Sequence, residues 1–144
     1  MCDSTTNAIS NEDKTNTLGI HHLGLTVIDV KQTAAFFIDQ LNFTQVGEKP
    51  HYPAIFVSDG TVMITLWQVN DKNNMTAFDR KNNIGLHHVA LKVANVDHLQ
   101  HLYQKLSLLD TVTIEFAPEP LEDLPIHHMM CLIPGGIRLE LISA

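Results

Sequence analysis

Two stretches of the chain share one alternation of apolar and polar residues. GIHHLGLTVIDV, at residues 19–30, reappears 66 residues later as GLHHVALKVANV, at residues 85–96. Alternation of this kind is typical of a β-strand with one buried face. Both stretches also open with the same motif, a Gly, then Ile or Leu, then a His-His pair. Chance similarity between two strands does not usually include such a shared motif. We therefore predict an internal duplication.

The segments that follow these strands repeat as well. Each has apolar residues at the three- and four-residue spacing of a helix buried on one face. Three strand-like runs come next, and the turn between the last two is Asp59-Gly60 in one half and Pro134-Gly135-Gly136 in the other. Each half therefore reads βαβββ. The apolar helix positions are Val30, Ala34, Phe37 and Leu41, then Val96, Leu99, Leu102 and Leu106.

These patterns predict one α+β domain over residues 18–144. The first unit covers residues 18–69, a polar and turn-rich linker covers residues 70–83, and the second unit covers residues 84–144. Residues 1–17 have almost no apolar content, so we expect them to form a mobile tail.

Charge and composition exclude several classes of partner. The formal net charge is −7, and the lysines and arginines are scattered, which argues against a nucleic-acid partner. No apolar run approaches the roughly 20 residues of a membrane helix, and the first residues do not resemble a secretory signal. We therefore expect a cytoplasmic protein without a membrane partner.

Two histidines and one glutamate are the candidates for chemistry. Strand alternation places His22 and His88 on the sheet face opposite the helix, and each is followed two positions later by a small residue, Gly24 or Ala90. Such residues leave room for a ligand above the sheet. Glu140 lies in the middle of a strand between leucines, where a carboxylate is costly unless it is paired or bound to a metal.

The duplicated unit and these three residues resemble the vicinal oxygen chelate superfamily over residues 18–142. That superfamily includes glyoxalase I, methylmalonyl-CoA epimerase, extradiol dioxygenases, fosfomycin-modifying enzymes and bleomycin-binding proteins. The resemblance implies a curved eight-stranded sheet around a central cavity, a small-molecule substrate, and a site formed either within one chain or between the chains of a homodimer. It also implies one divalent metal ion (Fe, Mn, Ni, Co or Zn), with His22, His88 and Glu140 as its ligands.

Histidines beside the implied ligands are the candidates for proton transfer. His127 and His128 lie on the strand before Glu140, where either one of them faces the cavity as a proton carrier or both are polar residues at the end of the strand. Glu140 is a second candidate for this role. His21 and His87 are expected on the other face of their strands, where a direct role is not predicted.

Four further residues are candidates for substrate binding. Alternation puts Met63, Thr65 and Trp67 on one strand face, where they either line the cavity or serve as ordinary packing. Arg138 shares the face of Glu140, where it either holds an anionic group of the substrate or forms a salt bridge.

The resemblance leaves the reaction open. Aligning the terminal hairpins places Thr65 opposite Glu140, whereas many relatives have Glu or Gln there. Thr65 therefore counts against a lyase or isomerase with four protein ligands, such as lactoylglutathione lyase, and favours a ring-cleaving dioxygenase with three. The alternative is a metal-free protein of the bleomycin-resistance type that binds a small molecule.

Overall fold

The computed structural model describes residues 15–143, within which it contains two helices and eight strands. The predicted tail therefore lies outside the described residues except for its last three. The elements of the first half are β1 (Leu23–Val27), α1 (Val30–Leu41), β2 (Thr44–Lys49), β3 (Ala54–Ser58) and β4 (Met63–Gln68). Those of the second half are β5 (Val89–Val93), α2 (Val96–Leu106), β6 (Thr113–Pro120), β7 (His127–Leu132) and β8 (Arg138–Ser143). The predicted pair of βαβββ units is confirmed.

The eight strands form two four-stranded sheets of identical topology. Their orders are β1-β4-β3-β2 and β5-β8-β7-β6, and in each sheet the first and last strands of the unit run parallel. Gly24 is paired with Thr65 in one sheet and Ala90 with Glu140 in the other. Thr65 and Glu140 therefore occupy equivalent positions, as the alignment of the hairpins predicts. The two sheets are not closed into a single barrel.

Both helices begin at a polar cap that the sequence provides. The Asp29 carboxylate accepts hydrogen bonds of 3.0 Å from the backbone N–H groups of Lys31 and Gln32 at the start of α1. The Asn95 side chain accepts one of 2.8 Å from the N–H of His98 at the start of α2. These contacts satisfy backbone donors that have no partner within the helix.

The two units contact each other on their helix-bearing sides. Lys105 on α2 donates a 3.1 Å hydrogen bond to the carbonyl of Asp39 on α1, and the Thr33 hydroxyl donates one of 3.4 Å to the carbonyl of Pro134. Apolar side chains of both units form one core, which leaves the helix-free faces of the sheets on the outside of the chain. Its fully buried members include Phe37, Val57, Ile64, Leu66, Leu99, Leu106, Met129, Cys131, Leu139 and Leu141.

The histidine pairs lie just before their strands, not within them as the sequence suggests. β1 begins at Leu23 and β5 at Val89, and the first paired residues of their ladders are the same two. Both strands lie at a sheet edge and have a single neighbour. His22 and His88 themselves therefore lie outside the ladder, directly before its first paired residue.

Candidate functional site

A buried carboxylate between two imidazoles lies on the helix-free face of the second sheet. Glu140, on β8, is 8% exposed. Its Oε2 atom is 3.2 Å from Nε2 of His88, and its Oε1 atom is 2.6 Å from Nδ1 of His128. The strands on either side of β8 position these histidines, because β5 follows His88 and β7 carries His128.

The two distances assign different roles to the histidines. Two atoms that each bind one ion at about 2.1 Å, with an angle of 90–110° between them, lie about 3.0–3.4 Å apart. The contact between His88 and Glu140 fits this spacing, so these donors suit a divalent ion. The shorter contact with His128 is a hydrogen bond, in which Nδ1–H donates to the carboxylate. His128 therefore orients Glu140 through Oε1, while Oε2 lies beside His88.

The structure distinguishes His128 from its neighbour. The side chain of His128 lies on the same face of the sheet as that of Glu140. His127 lies on the opposite face of β7, together with the buried residues Met129 and Cys131. The Nδ1 atom of His127 is buried without a hydrogen-bond partner. Of the two candidates for a proton carrier, only His128 reaches Glu140.

Arg138 forms an ion pair with Glu115, which is not among the predicted site residues. Its Nε atom lies 2.9 and 3.1 Å from the two carboxylate oxygens of Glu115 on β6. The ladder between β6 and β7 shifts register between Ile114 and Phe116, so Glu115 is the extra residue of a bulge. A bulge interrupts strand alternation, which is why periodicity does not assign Glu115 to this face.

The same arginine lies close to His87. Its Nη1 atom is 3.5 Å from Nδ1 of His87, and that nitrogen is 2.7 Å from Nδ1 of His88. Desolvation lowers the pKa of His87 below its usual value, and the positive charge of Arg138 lowers it further. The expectation that His87 faces away from the site is therefore wrong, because its ring contacts the candidate ligand directly.

The helix-free face of the first sheet carries aromatic side chains instead of charges. The ring of Trp67 lies 5.1 Å from that of Tyr52 and 5.7 Å from that of Phe56. Its Nε1–H donates a 3.0 Å hydrogen bond to the hydroxyl of Thr65, which is 3% exposed. Met63 shares this face by strand alternation and is half-buried. Three of the predicted lining residues thus lie together on one sheet.

His22 lies at the start of this first sheet, away from the second cluster. It is exposed, and its Nδ1 atom contacts that of His21 at 2.9 Å. Within residues 15–143 of one chain, no three His, Cys, Asp or Glu side chains form a group that could hold a metal ion. The donor types that the resemblance implies are present and two of them are adjacent, but a single chain does not bring the third to them.

Two cavities among the described residues lie apart from this cluster. One of about 240 Å³ is enclosed by β1, the linker and the turn before β8, and includes Thr26, Phe78 and Gly135. Another, of about 190 Å³, separates α2 from the end of α1 and includes Phe43 and His101. Neither cavity is lined by Glu140 or Trp67.

A family model matches these features over almost the whole described chain. The model of the Glyoxalase/Bleomycin resistance protein/Dioxygenase superfamily matches residues 19–141. The chain belongs to this superfamily. Its members generally use a divalent metal ion, bind small-molecule substrates and often form dimers.

Solved structures of superfamily members share the fold at low sequence identity. A domain of the superfamily from Frankia sp. is 19% identical, with a TM-score of 0.72 and coverage of 88% of this chain and 97% of that one. Lactoylglutathione lyase from Agrobacterium tumefaciens is 16% identical, with a TM-score of 0.67 and coverage of 90% and 96%. A fosfomycin resistance protein from Listeria monocytogenes is 17% identical, with a TM-score of 0.64 and coverage of 88% and 93%.

No curated protein matches the chain in sequence. Among residues 15–143, neither helix has the length and apolar character needed to cross a membrane. The cytoplasmic location stays a prediction of the sequence.

Proposed function

We propose that the protein is a divalent-metal-dependent enzyme that chelates two neighbouring oxygens of a small substrate. His22, His88 and Glu140 are its metal ligands, and Fe, Mn, Ni, Co or Zn is the ion. The observation that carries the proposal is the position of Glu140, which is buried beside His88 at the spacing of two ligands on one ion. Two histidines and one carboxylate leave coordination positions open for substrate.

The ligand set is completed between two copies of the chain. The first and second sheets turn their helix-free faces outward, so His22 of one copy meets His88 and Glu140 of another in a symmetric dimer. Two features support this arrangement. β1 and β5 are edge strands with unpaired backbone groups, and the apolar residues Ile20 and Ile84 beside them are largely exposed.

Each side chain of the composite site then has a defined task. A divalent ion bound there stabilises negative charge that develops on the substrate oxygens. His128 orients Glu140 through the 2.6 Å hydrogen bond and holds a proton close to that carboxylate. Trp67 and the aromatic residues around it cover the site from the other copy and exclude water.

The environment of Thr65 favours three protein ligands over four. Its hydroxyl accepts a hydrogen bond from Trp67 and lies 3.5 Å from the carbonyl of Leu23, to which it donates. A hydroxyl that already makes two hydrogen bonds is a poor metal ligand compared with the carboxylate or amide that many relatives have at this position. We therefore propose ring cleavage by O₂ as the first reaction to test, ahead of a lyase or isomerase reaction like that of lactoylglutathione lyase.

The test combines metal content with oxygen dependence. The apoprotein is loaded separately with Fe(II), Mn(II), Co(II), Ni(II) and Zn(II) without air, and a catechol and an α-hydroxycarbonyl are offered to each form. We expect about one ion per chain, and a catechol reaction that begins only when O₂ is admitted and consumes it in step with substrate. Turnover of the α-hydroxycarbonyl without O₂ would instead establish the lyase or isomerase reaction.

Single substitutions locate the ion. His22→Ala, His88→Ala and Glu140→Ala are each expected to abolish stoichiometric binding, whereas His98→Ala, at an exposed position of α2, is the matched control. Stoichiometric metal in all three variants would show that the ligands have been misassigned.

A metal-free binding protein is the second candidate, and the separation of His22 from the other two donors within one chain favours it. Trp67 is the only tryptophan of the protein, so its fluorescence reports on this face alone. Tight binding of a small molecule by the metal-free protein, without turnover by any metal-loaded form, would establish this function.

A further inference from the structure

Arg138 has hydrogen-bond donors that its contacts within the protein do not use. Both carboxylate oxygens of Glu115 accept from Nε, at 2.9 and 3.1 Å, and Nη1 faces the ring of His87 at 3.5 Å. Among the contacts of residues 15–143, Nη2 has no hydrogen-bond partner. Over the same residues, the one fully buried side-chain nitrogen without a partner belongs to His127. Nη2 therefore keeps contact with solvent, although Arg138 is only 8% exposed.

One carboxylate serves two guanidinium groups at this position. Arg80 of the linker lies 3.4 Å from Oε1 of Glu115, and Arg138 contacts the same carboxylate. No second Asp or Glu of the described chain forms an ion pair with either arginine. The group therefore carries one positive charge that no carboxylate of residues 15–143 compensates. A partly buried charge is costly without a partner, so this position favours an anion from outside the chain.

The uncompensated charge lies on the face of the second sheet that carries Glu140. Arg138 and Glu140 are alternate residues of β8, so their side chains share a face, and their Cα atoms lie about 6.6 Å apart. A single six-membered ring spans a similar distance between opposite substituents. A substrate whose two neighbouring oxygens lie beside Glu140 and His88 therefore has room for a substituent beside Arg138.

The first sheet provides an internal comparison, because it has no charges at the equivalent positions. By the register of the two sheets, Met63 corresponds to Arg138. The ladder of β2 with β3 has a register shift like that of β6 with β7, and its extra residue is Val46, which corresponds to Glu115. A thioether and an isopropyl group thus replace the ion pair. The βαβββ unit forms without these charges, so the fold itself does not account for them.

We propose that the terminal nitrogens of Arg138 bind a carboxylate of the substrate, which is a compound with two neighbouring oxygens and a carboxylate one ring away from them. The position of the two oxygens rests on the proposed function, whereas the position of the carboxylate rests on the contacts of Arg138. A guanidinium presents N–H donors in one plane, and these match the two oxygens of a carboxylate. Glu115 fixes the guanidinium through Nε and leaves Nη2 open to the substrate.

Two probes that differ in one group test for the carboxylate. Protocatechuate is a catechol with a carboxylate across the ring from one hydroxyl, and its amide has nearly the same shape without the charge. Calorimetric titration of the Zn(II)-loaded protein gives both dissociation constants without turnover, because zinc has no redox chemistry. We expect protocatechuate to bind about 10- to 100-fold more tightly than the amide, as hydrogen bonds between charged groups are the stronger ones. Equal affinities would overturn the inference.

Substitutions assign the preference to one side chain. Arg138→Met places the residue of the first sheet at this position, and it should lower the affinity for protocatechuate to that for the amide while leaving the amide unaffected. Arg138→Lys should recover part of the preference, because lysine keeps the charge without the fork. Lys81→Met is the matched control, since it removes the same charge from an exposed linker position and should keep the full preference. A preference that survives Arg138→Met would contradict the proposed contact.

The outcomes separate this inference from the proposed function. If the protein binds no metal, the proposed function fails, and the same two probes titrated into the metal-free protein decide the inference, with no preference or no binding counting against it. If the metal-loaded protein binds both probes equally, the proposed function stands and the inference is overturned. Should Arg138→Met not fold, Arg80→Met lets Glu115 compensate Arg138 fully and should remove most of the preference, and an unchanged preference there overturns the inference equally.

Discussion

Mixing two inactive variants tests whether the metal site is shared between chains. His22 directly precedes the first strand of one sheet and Glu140 lies on the other sheet, and the helix-free faces of both sheets lie on the outside of the chain. In a symmetric dimer with composite sites, each site takes His22 from one chain and Glu140 from the other. His22→Ala and Glu140→Ala homodimers therefore contain no complete site.

The arrangement of the ligands in the dimer determines how much metal binding the mixture of variants regains. In a heterodimer of these two variants, one site carries both substitutions and the other carries neither. Random pairing makes about half of all dimers heterodimers, so the mixture should regain about a quarter of the metal of the unmodified protein. A heterodimer isolated through two different affinity tags should hold about half.

The assay is metal content per chain after refolding or co-expression of the two variants. A mixture of His88→Ala with Glu140→Ala is the matched control, because both residues come from the same half and no pairing of chains restores a site. An isolated heterodimer of His22→Ala and Glu140→Ala that binds no metal would refute the shared site. Recovery in the control would refute the assignment of His88.

Three further predictions concern stability and reactivity. Thr65→Val removes the acceptor of the Trp67 indole N–H, so the free energy of unfolding, measured in urea, should fall by about 1 kcal/mol. An unchanged free energy of unfolding would show that this hydrogen bond does not stabilise the protein. Asp29→Ala should cost about 1 kcal/mol through loss of the α1 cap, and Asp29→Ser should restore most of it. Burial raises the pKa of the Cys131 thiol to about 12, so in a Cys2→Ser background alkylation at pH 8 should be slow until urea is added. Because the unfolded thiol has the lower pKa, of 9.0, this group should also make the free energy of unfolding decrease as pH rises above 9 towards 12.

Local patterns of the sequence determined the repeated unit and the equivalence of its residues. The strand and helix periods identified both βαβββ units, and alignment of the terminal hairpins paired Thr65 with Glu140. These properties depend on neighbouring residues along the chain, since side-chain direction within a strand or helix follows from its period. For the same reason the face of Glu140 and its need for partners could be read without a structure.

Contacts between distant segments needed the tertiary structure. Which of His127 and His128 contacts Glu140 depended on where β7 begins its pairing with β8. Glu115 contacts Arg138 because a bulge displaces Glu115 from the alternation of β6. His87 lay outside the strand, where alternation no longer determines direction. The packing of the two units through their helices, which separates His22 from Glu140, depended on the shape of the whole core. Periodicity describes which face of an element is apolar, but it does not specify which other apolar face will cover it.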